Sequence, residues 1–180
     1  YVLAHETAHL MGLPDLYTYG GVEGPKNPAG PWDIMSSAGR ASGFLGWHRH
    51  KFEWLDADRK TYITSGTHRL KITSLNTSSG VSMIVIPVDD PVKPSKVFVI
   101  EISQPLRSKG KIHDFVGVLV YSVDAKLATG RNPVLVYPKE DLIKAPFLQG
   151  DRFDHTDAPM SMKVLKKNGD GSYMIEVKVK

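Results

Sequence analysis

His5-Glu6-Thr7-Ala8-His9-Leu10-Met11-Gly12-Leu13-Pro14-Asp15, at the start of the chain, is the stretch whose reading decides the rest. On a helix, residues four apart share a face, so the imidazoles of His5 and His9 stand one turn from each other. Two ring nitrogens so placed reach a single zinc ion at about 2.0 to 2.1 Å. Glu6, beside the first of them, is positioned to lean over that metal without binding it and to take a proton from metal-bound water. Zinc draws the pKa of such a water toward ~7, and attack on a peptide carbonyl is the natural outcome.

A catalytic zinc takes three protein ligands and keeps one position open. The helix's next turn cannot supply the third without crowding, so the chain must bend back toward the metal. Gly12 is where that bend is expected, because glycine adopts left-handed backbone angles without penalty. Asp15 then falls where the longer H-E-x-x-H-x-x-G-x-x-H pattern has its third histidine. The expected metal ligands are therefore His5, His9 and Asp15, with Glu6 as the catalytic base. Glu23 and Asp33 remain open as sources of the third ligand. A separate reading draws it from a later helix, where Glu53, with Asp56 three residues on, is the plausible source.

Working outward, residues 1 to about 13 read as helix, with Val2, Leu3, Leu10 and Leu13 able to pack. Only Tyr1 to Ala4 precede His5, so sequence upstream of Tyr1 is expected. Pro14 to Pro31 is rich in Gly, Pro and Tyr and reads as a long ordered loop, a feature that is usually functional inside a compact domain. Met35 follows in Trp32-Asp33-Ile34-Met35-Ser36-Ser37. Enzymes with the extended motif place a methionine in a tight turn under the ligand imidazoles, and Met35 suits that role. Ala41 to Leu55 carries Phe44, Leu45, Trp47, Phe52 and Leu55 at roughly helical spacing and reads as a second helix.

Beyond Asp56 the runs Tyr62–Thr64, His68–Leu75, Val81–Val88, Lys96–Ser103 and Val116–Val123 are short, β-branched and bounded by turn residues, as strands are. Met160–Lys167 and Tyr173–Val179 flank Asn168-Gly169-Asp170-Gly171 and read as a hairpin. Its last strand alternates Ile175, Val177 and Val179 with Glu176, Lys178 and Lys180, so one face is buried. The fold class is thus α+β: active-site helix, Met-turn loop and second helix over residues 1–58, then a mostly antiparallel, β-sandwich-like domain over 59–180.

Composition bounds the function classes. The 180 residues carry net charge +4 without a block of like charge, which argues against nucleic acid as a partner. Without cysteine, a metal must be held by His and carboxylates. No apolar run has the ~18 residues of a membrane span. Tyr17 and Tyr19 read chiefly as loop packing, with oxyanion hydrogen bonding as the functional alternative. His48 and His50, two apart on the second helix, point to different faces and read as surface residues; His68, His113 and His155 stand isolated. Asp89-Asp90 and the Asp151 to Asp157 stretch offer oxygen ligands for calcium but lack the spacing of a calcium loop, so turns are the default.

The run from His5 through Tyr17, the Pro31-Trp32-Asp33-Ile34-Met35-Ser36 segment and the stretch from Gly43 to Leu55 resemble the immune inhibitor A-type metallopeptidases, a secreted, metzincin-like group. A weaker resemblance extends to Val97-Phe98-Val99-Ile100-Glu101 and Gly117 to Asp124. It implies a secreted zinc endopeptidase acting on protein or peptide substrates, with His5 and His9 as zinc ligands, Glu6 as general base and acid, and Met35 as the Met-turn. By the same resemblance, residues 1–58 are the C-terminal part of a catalytic domain whose upper cleft wall lies upstream, so the 180-residue chain alone is expected to be weakly active. The competing reading is a zinc-containing binding or structural module that does not cleave; retention of Glu6 argues against it.

Overall fold

The computed structural model describes residues 1–108, 111–113, 116–138, 140–156 and 158–180. The fold is α+β, with two short α-helices among the described residues and mostly antiparallel sheets.

Helix α1 spans Val2–Leu10 and ends three residues earlier than the periodicity suggested. Its end has a specific cause. Gly12 adopts φ +92°, Gly12 N–H donates to His9 O at 2.9 Å, and Leu13 N–H donates to Ala8 O at 3.0 Å. That pair of bonds is the Schellman closure, which needs a left-handed residue where Gly12 stands. Leu13 and Ala8, the two positions the motif brings together, are both buried in one core cluster. Val2, Leu3 and Leu10, expected to pack, are exposed.

Helix α2 is Gly46–Lys51 rather than Ala41 to Leu55. Leu45 is extended before it (φ −56°, ψ 155°). After it, Glu53 takes φ 57° while its N–H bonds His50 O at 3.1 Å and Trp54 N–H bonds Arg49 O at 2.8 Å. The same closure therefore ends both helices, here on a non-glycine residue. Apolar spacing across a short helix and its two flanking turns mimicked one longer helix.

Eleven strands follow among the described residues. A five-stranded sheet runs in the order β1 (Lys60–Tyr62), β3 (Met83–Pro87), β4 (Lys96–Ile102), β7 (Val118–Asp124), β8 (Val134–Tyr137). Only β1 against β3 is parallel in it. A four-stranded antiparallel sheet has the order β2 (Gly66–Ile72), β11 (Tyr173–Val179), β10 (Met160–Lys167), β9 (Arg152–Asp154). β5 (Leu106–Ser108) and β6 (Lys111–His113) form a separate ribbon. The hairpin β10–β11 has the expected residue bounds, and Ile175, Val177 and Val179 are buried as expected. The sequence reading anticipated neither β8 nor β9.

Both faces of the five-stranded sheet are covered, which is why its strands are near-continuous apolar runs. Ile84, Ile86, Phe98, Ile100, Val118, Val120 and Tyr137 face the four-stranded sheet in one core. The alternate residues Met83, Val85, Val97, Val99, Leu119, Tyr121 and Val123 share a second core with Ala8, Leu13, Leu16, Met35, Leu45 and Trp47. The segment bearing the opening motif is thus laid across the outer face of this sheet. No helix is long and apolar enough to cross a membrane among the described residues.

Candidate metal centre

α1 turns His5 and His9 inward with ring centroids 4.8 Å apart and planes perpendicular. His5 Nδ1–H donates to Ile34 O at 3.0 Å, and His9 Nδ1–H donates to Leu13 O at 2.8 Å. A carbonyl only accepts, so each ring carries its proton on Nδ1 and presents a lone pair at Nε2. The two Nε2 atoms are 3.2 Å apart. Asp15 Oδ1 lies 3.1 Å from the first and 3.2 Å from the second.

These three atoms form a nearly equilateral triangle of acceptors. Oδ1 of Asp15 is buried without a hydrogen-bond donor, so its desolvation is uncompensated by the protein. Its closeness to the rings would be an ion pair only if an imidazole were doubly protonated, whereas a cation at the apex satisfies all three atoms at once. A tetrahedral site with bonds of 2.0 to 2.1 Å has edges of about 3.3 to 3.4 Å, close to the observed triangle. The donor set therefore fits a small divalent metal, and among the described residues it is the one such cluster of His and carboxylate groups. The carbonyls holding both Nδ1 protons are the outer-shell partners that fix ligand orientation in metal sites.

Gly12's turn carries the chain through Leu13 and Pro14 to Asp15, as the spacing predicts. Asp15 is then fixed from a distant part of the chain. Its N–H donates to Thr129 Oγ1 at 2.9 Å, and its carbonyl accepts from Gly130 N–H at 3.2 Å. Its other carboxylate oxygen, Oδ2, accepts from the Tyr19 hydroxyl.

The remaining candidates fall outside the triangle. Asp33 is wholly buried but committed: Oδ1 accepts from Met35 N–H at 2.7 Å, and Oδ2 accepts from Leu45 N–H at 2.7 Å and His48 Nδ1–H at 2.9 Å. Glu23, Glu53 and Asp56 are exposed and do not join the cluster. His48, expected at the surface, is 3 % exposed, drawn inward by Asp33. Met35 is fully buried in the core cluster containing Ala8, Leu13 and Leu16, and its carbonyl accepts from Leu16 N–H at 3.1 Å.

Glu6 is solvent-exposed on α1. Tyr17 stacks on His5 with centroids 6.4 Å apart and planes 16° from parallel. Its phenol is pushed up to about 12 by burial and then by the Asp15 carboxylate, with Tyr19 and Glu6 adding to the field. The hydroxyl therefore stays protonated at neutral pH, able to donate. Tyr19's hydroxyl also donates to Asp15, on Oδ2.

Of the calcium candidates, Asp89-Asp90 forms a turn, whereas residues 152–154 of the second stretch are strand β9. Asp89 Oδ1 accepts from the N–H groups of Asp90, Ser95 and Lys96, and Asp90 Oδ1 from those of Val92 and Lys93. The Ser95 hydroxyl first, and those backbone donors after it, hold the Asp89 carboxyl well below the usual carboxylate range. Asp151 Oδ2 accepts from Leu148 N–H at 2.7 Å; Asp157 lies outside the described residues.

Thr129, Gly130 and the Asp33–His48 pair were not identified from sequence. Ala128-Thr129-Gly130-Arg131-Asn132-Pro133 reads only as a turn, and nothing local ties it to a residue more than a hundred positions earlier. Compared with known families, curated proteins and solved structures, the chain matches none.

Proposed function

We propose that this chain is the metal-holding part of a zinc-dependent endopeptidase, secreted and of the immune inhibitor A type. The observation that carries the proposal is the triangle of His5 Nε2, His9 Nε2 and Asp15 Oδ1, closed to 3.1 and 3.2 Å around an orphaned carboxylate oxygen. The H-E-x-x-H spacing and the resemblance quoted above supply the choice of zinc.

His5, His9 and Asp15 would hold the ion, each aimed by its own hydrogen bond. When bound, zinc supplies a Lewis acid that acidifies a water and polarises a peptide carbonyl. Glu6 is exposed beside His5, so its carboxylate is free to accept the proton of the attacking water and return it to the leaving amine. Tyr17, stacked on His5, offers a hydroxyl to the negative charge that develops on the substrate carbonyl. Met35, buried in the same core cluster as Ala8 and Leu13, would serve as the Met-turn.

The test is the Glu6→Gln variant assayed for zinc content and for hydrolysis of an unfolded protein substrate. Zinc should be retained and hydrolysis should fall by about 100- to 10,000-fold, the usual contribution of a general base. Undiminished hydrolysis would remove Glu6 from the mechanism. Stoichiometric zinc without hydrolysis in a protein that also carries the expected upstream cleft wall would instead assign the chain a binding role.

A further inference from the structure

Asp15 has two carboxylate oxygens, and the protein treats them differently. Oδ1 completes the triangle, while Oδ2 accepts from the Tyr19 hydroxyl. That hydroxyl is also 3.3 Å from Thr129 Oγ1, the atom that receives Asp15 N–H at 2.9 Å. The backbone repeats the linkage: Gly130 N–H donates to Asp15 O at 3.2 Å, and Tyr19 N–H donates to Gly130 O at 3.1 Å. Asp15 and Tyr19 are thus both tied to one turn between β7 and β8.

Gly130 shows how close this fit is. Its φ is +70°, and a Cβ there would lie 2.2 Å from the Tyr19 ring. Only a residue without a side chain lets the ring lie flat on the turn with its hydroxyl on Asp15.

We propose that Tyr19, seated on the Thr129-Gly130 turn, is a positioning residue that confines Asp15 to single-oxygen coordination of the metal. The inference rests on the metal-site reading above. A carboxylate free to rotate would present both oxygens to the ion, adding a fifth ligand beside the position that a catalytic site keeps open. With Oδ2 occupied by a phenol, Oδ1 alone is offered. The β domain thereby takes part in building the metal site.

The experiment compares wild type with Tyr19→Phe, using Asp15→Ala and His9→Ala as references. Zinc affinity is read by chelator competition, coordination by the visible spectrum of the cobalt(II)-substituted protein, and fold by thermal unfolding of the metal-free chains. Tyr19→Phe should weaken zinc by about 10- to 100-fold, the usual loss for an outer-shell partner. It should also shift the cobalt spectrum from the intense bands of four-coordination to the weaker bands of five-coordination, with metal-free unfolding close to wild type. Gly130→Ala should act in the same direction and add little to Tyr19→Phe, since both break one contact.

Affinity and spectrum unchanged in Tyr19→Phe, beside a clear loss in Asp15→Ala, would overturn the proposal. So would an affinity loss with an unaltered spectrum and an equally destabilised metal-free protein, since that is a purely structural role. If Asp15→Ala also binds zinc normally while His9→Ala does not, the failure lies in the choice of Asp15 as ligand.

Discussion

Glu101, on β4 under the start of α2, shows how a single buried residue sets the pH dependence of folding. Its Oε2 accepts from Gly46 N–H at 2.8 Å and from the Tyr121 hydroxyl at 2.7 Å, while Oε1 is buried without a partner. Burial pushes the carboxyl up to about 7, against the lowering effect of those donors. A folded-state pKa above the unfolded one means that folding takes up a proton. The contribution is therefore full below about 4.5 and is lost as pH rises through about 7. The loss is on the order of 3 kcal/mol. Urea unfolding of the metal-free protein across this window should show wild type losing stability relative to Glu101→Gln, and parallel curves would contradict the assignment. His48 marks what residue-level reading missed. Its spacing of two from His50 on a helix excludes a shared face and predicts a surface residue. Its burial is decided by Asp33, fifteen positions away, and nothing near His48 in the sequence announces that partner.

The two helices differ in how much of their ending the sequence disclosed. Gly12 announces a C-terminal closure, and the structure puts it at the left-handed position that returns the chain to Asp15. Gly12→Ala should destabilise by about 1 to 2 kcal/mol, the cost of a left-handed L-residue, and should weaken metal binding because Asp15 follows the turn. Equal zinc affinity in that variant, measured by chelator competition, would uncouple the turn from the site. The end of α2 was not legible, because Glu53 fills the corresponding position and glutamate carries no signal for a left-handed backbone. Between the helices, Asp33 ties the turn at Met35 to Leu45 and His48 through three hydrogen bonds. Asp33→Ala leaves those donors buried and unpaired and should cost about 3 to 5 kcal/mol in urea unfolding, as breaking a buried charged network does. A loss under 1 kcal/mol would show that the network can rearrange around the gap.

At the scale of the whole molecule, strands and hairpin were largely legible because their patterning is local, whereas the stacking was not. An apolar run such as Val97-Phe98-Val99-Ile100 does not reveal which covering layer each face meets. In the structure the odd positions meet the motif segment and the even ones the second sheet. The candidate site was legible where it is local, in His5, His9, Gly12 and Asp15, and illegible where β7 and β8 deliver Thr129 and Gly130. A metal held by His5, His9 and Asp15 would draw on the motif segment and, through Thr129 and Gly130, on the β7–β8 turn, so it should stabilise the entire chain. At one hundred times its Kd, binding adds about 2.7 kcal/mol, so a chelator should lower the unfolding temperature in one cooperative step. A transition indifferent to chelator would contradict that coupling. The most direct test of the central claim is a zinc titration of wild type beside His5→Ala, His9→Ala and Asp15→Ala, with folding of each metal-free chain verified. One zinc per wild-type chain is expected, with each substitution weakening binding beyond the roughly 100-fold that an outer-shell loss brings. Stoichiometric, undiminished zinc in folded His5→Ala and His9→Ala would place the metal elsewhere and refute the account.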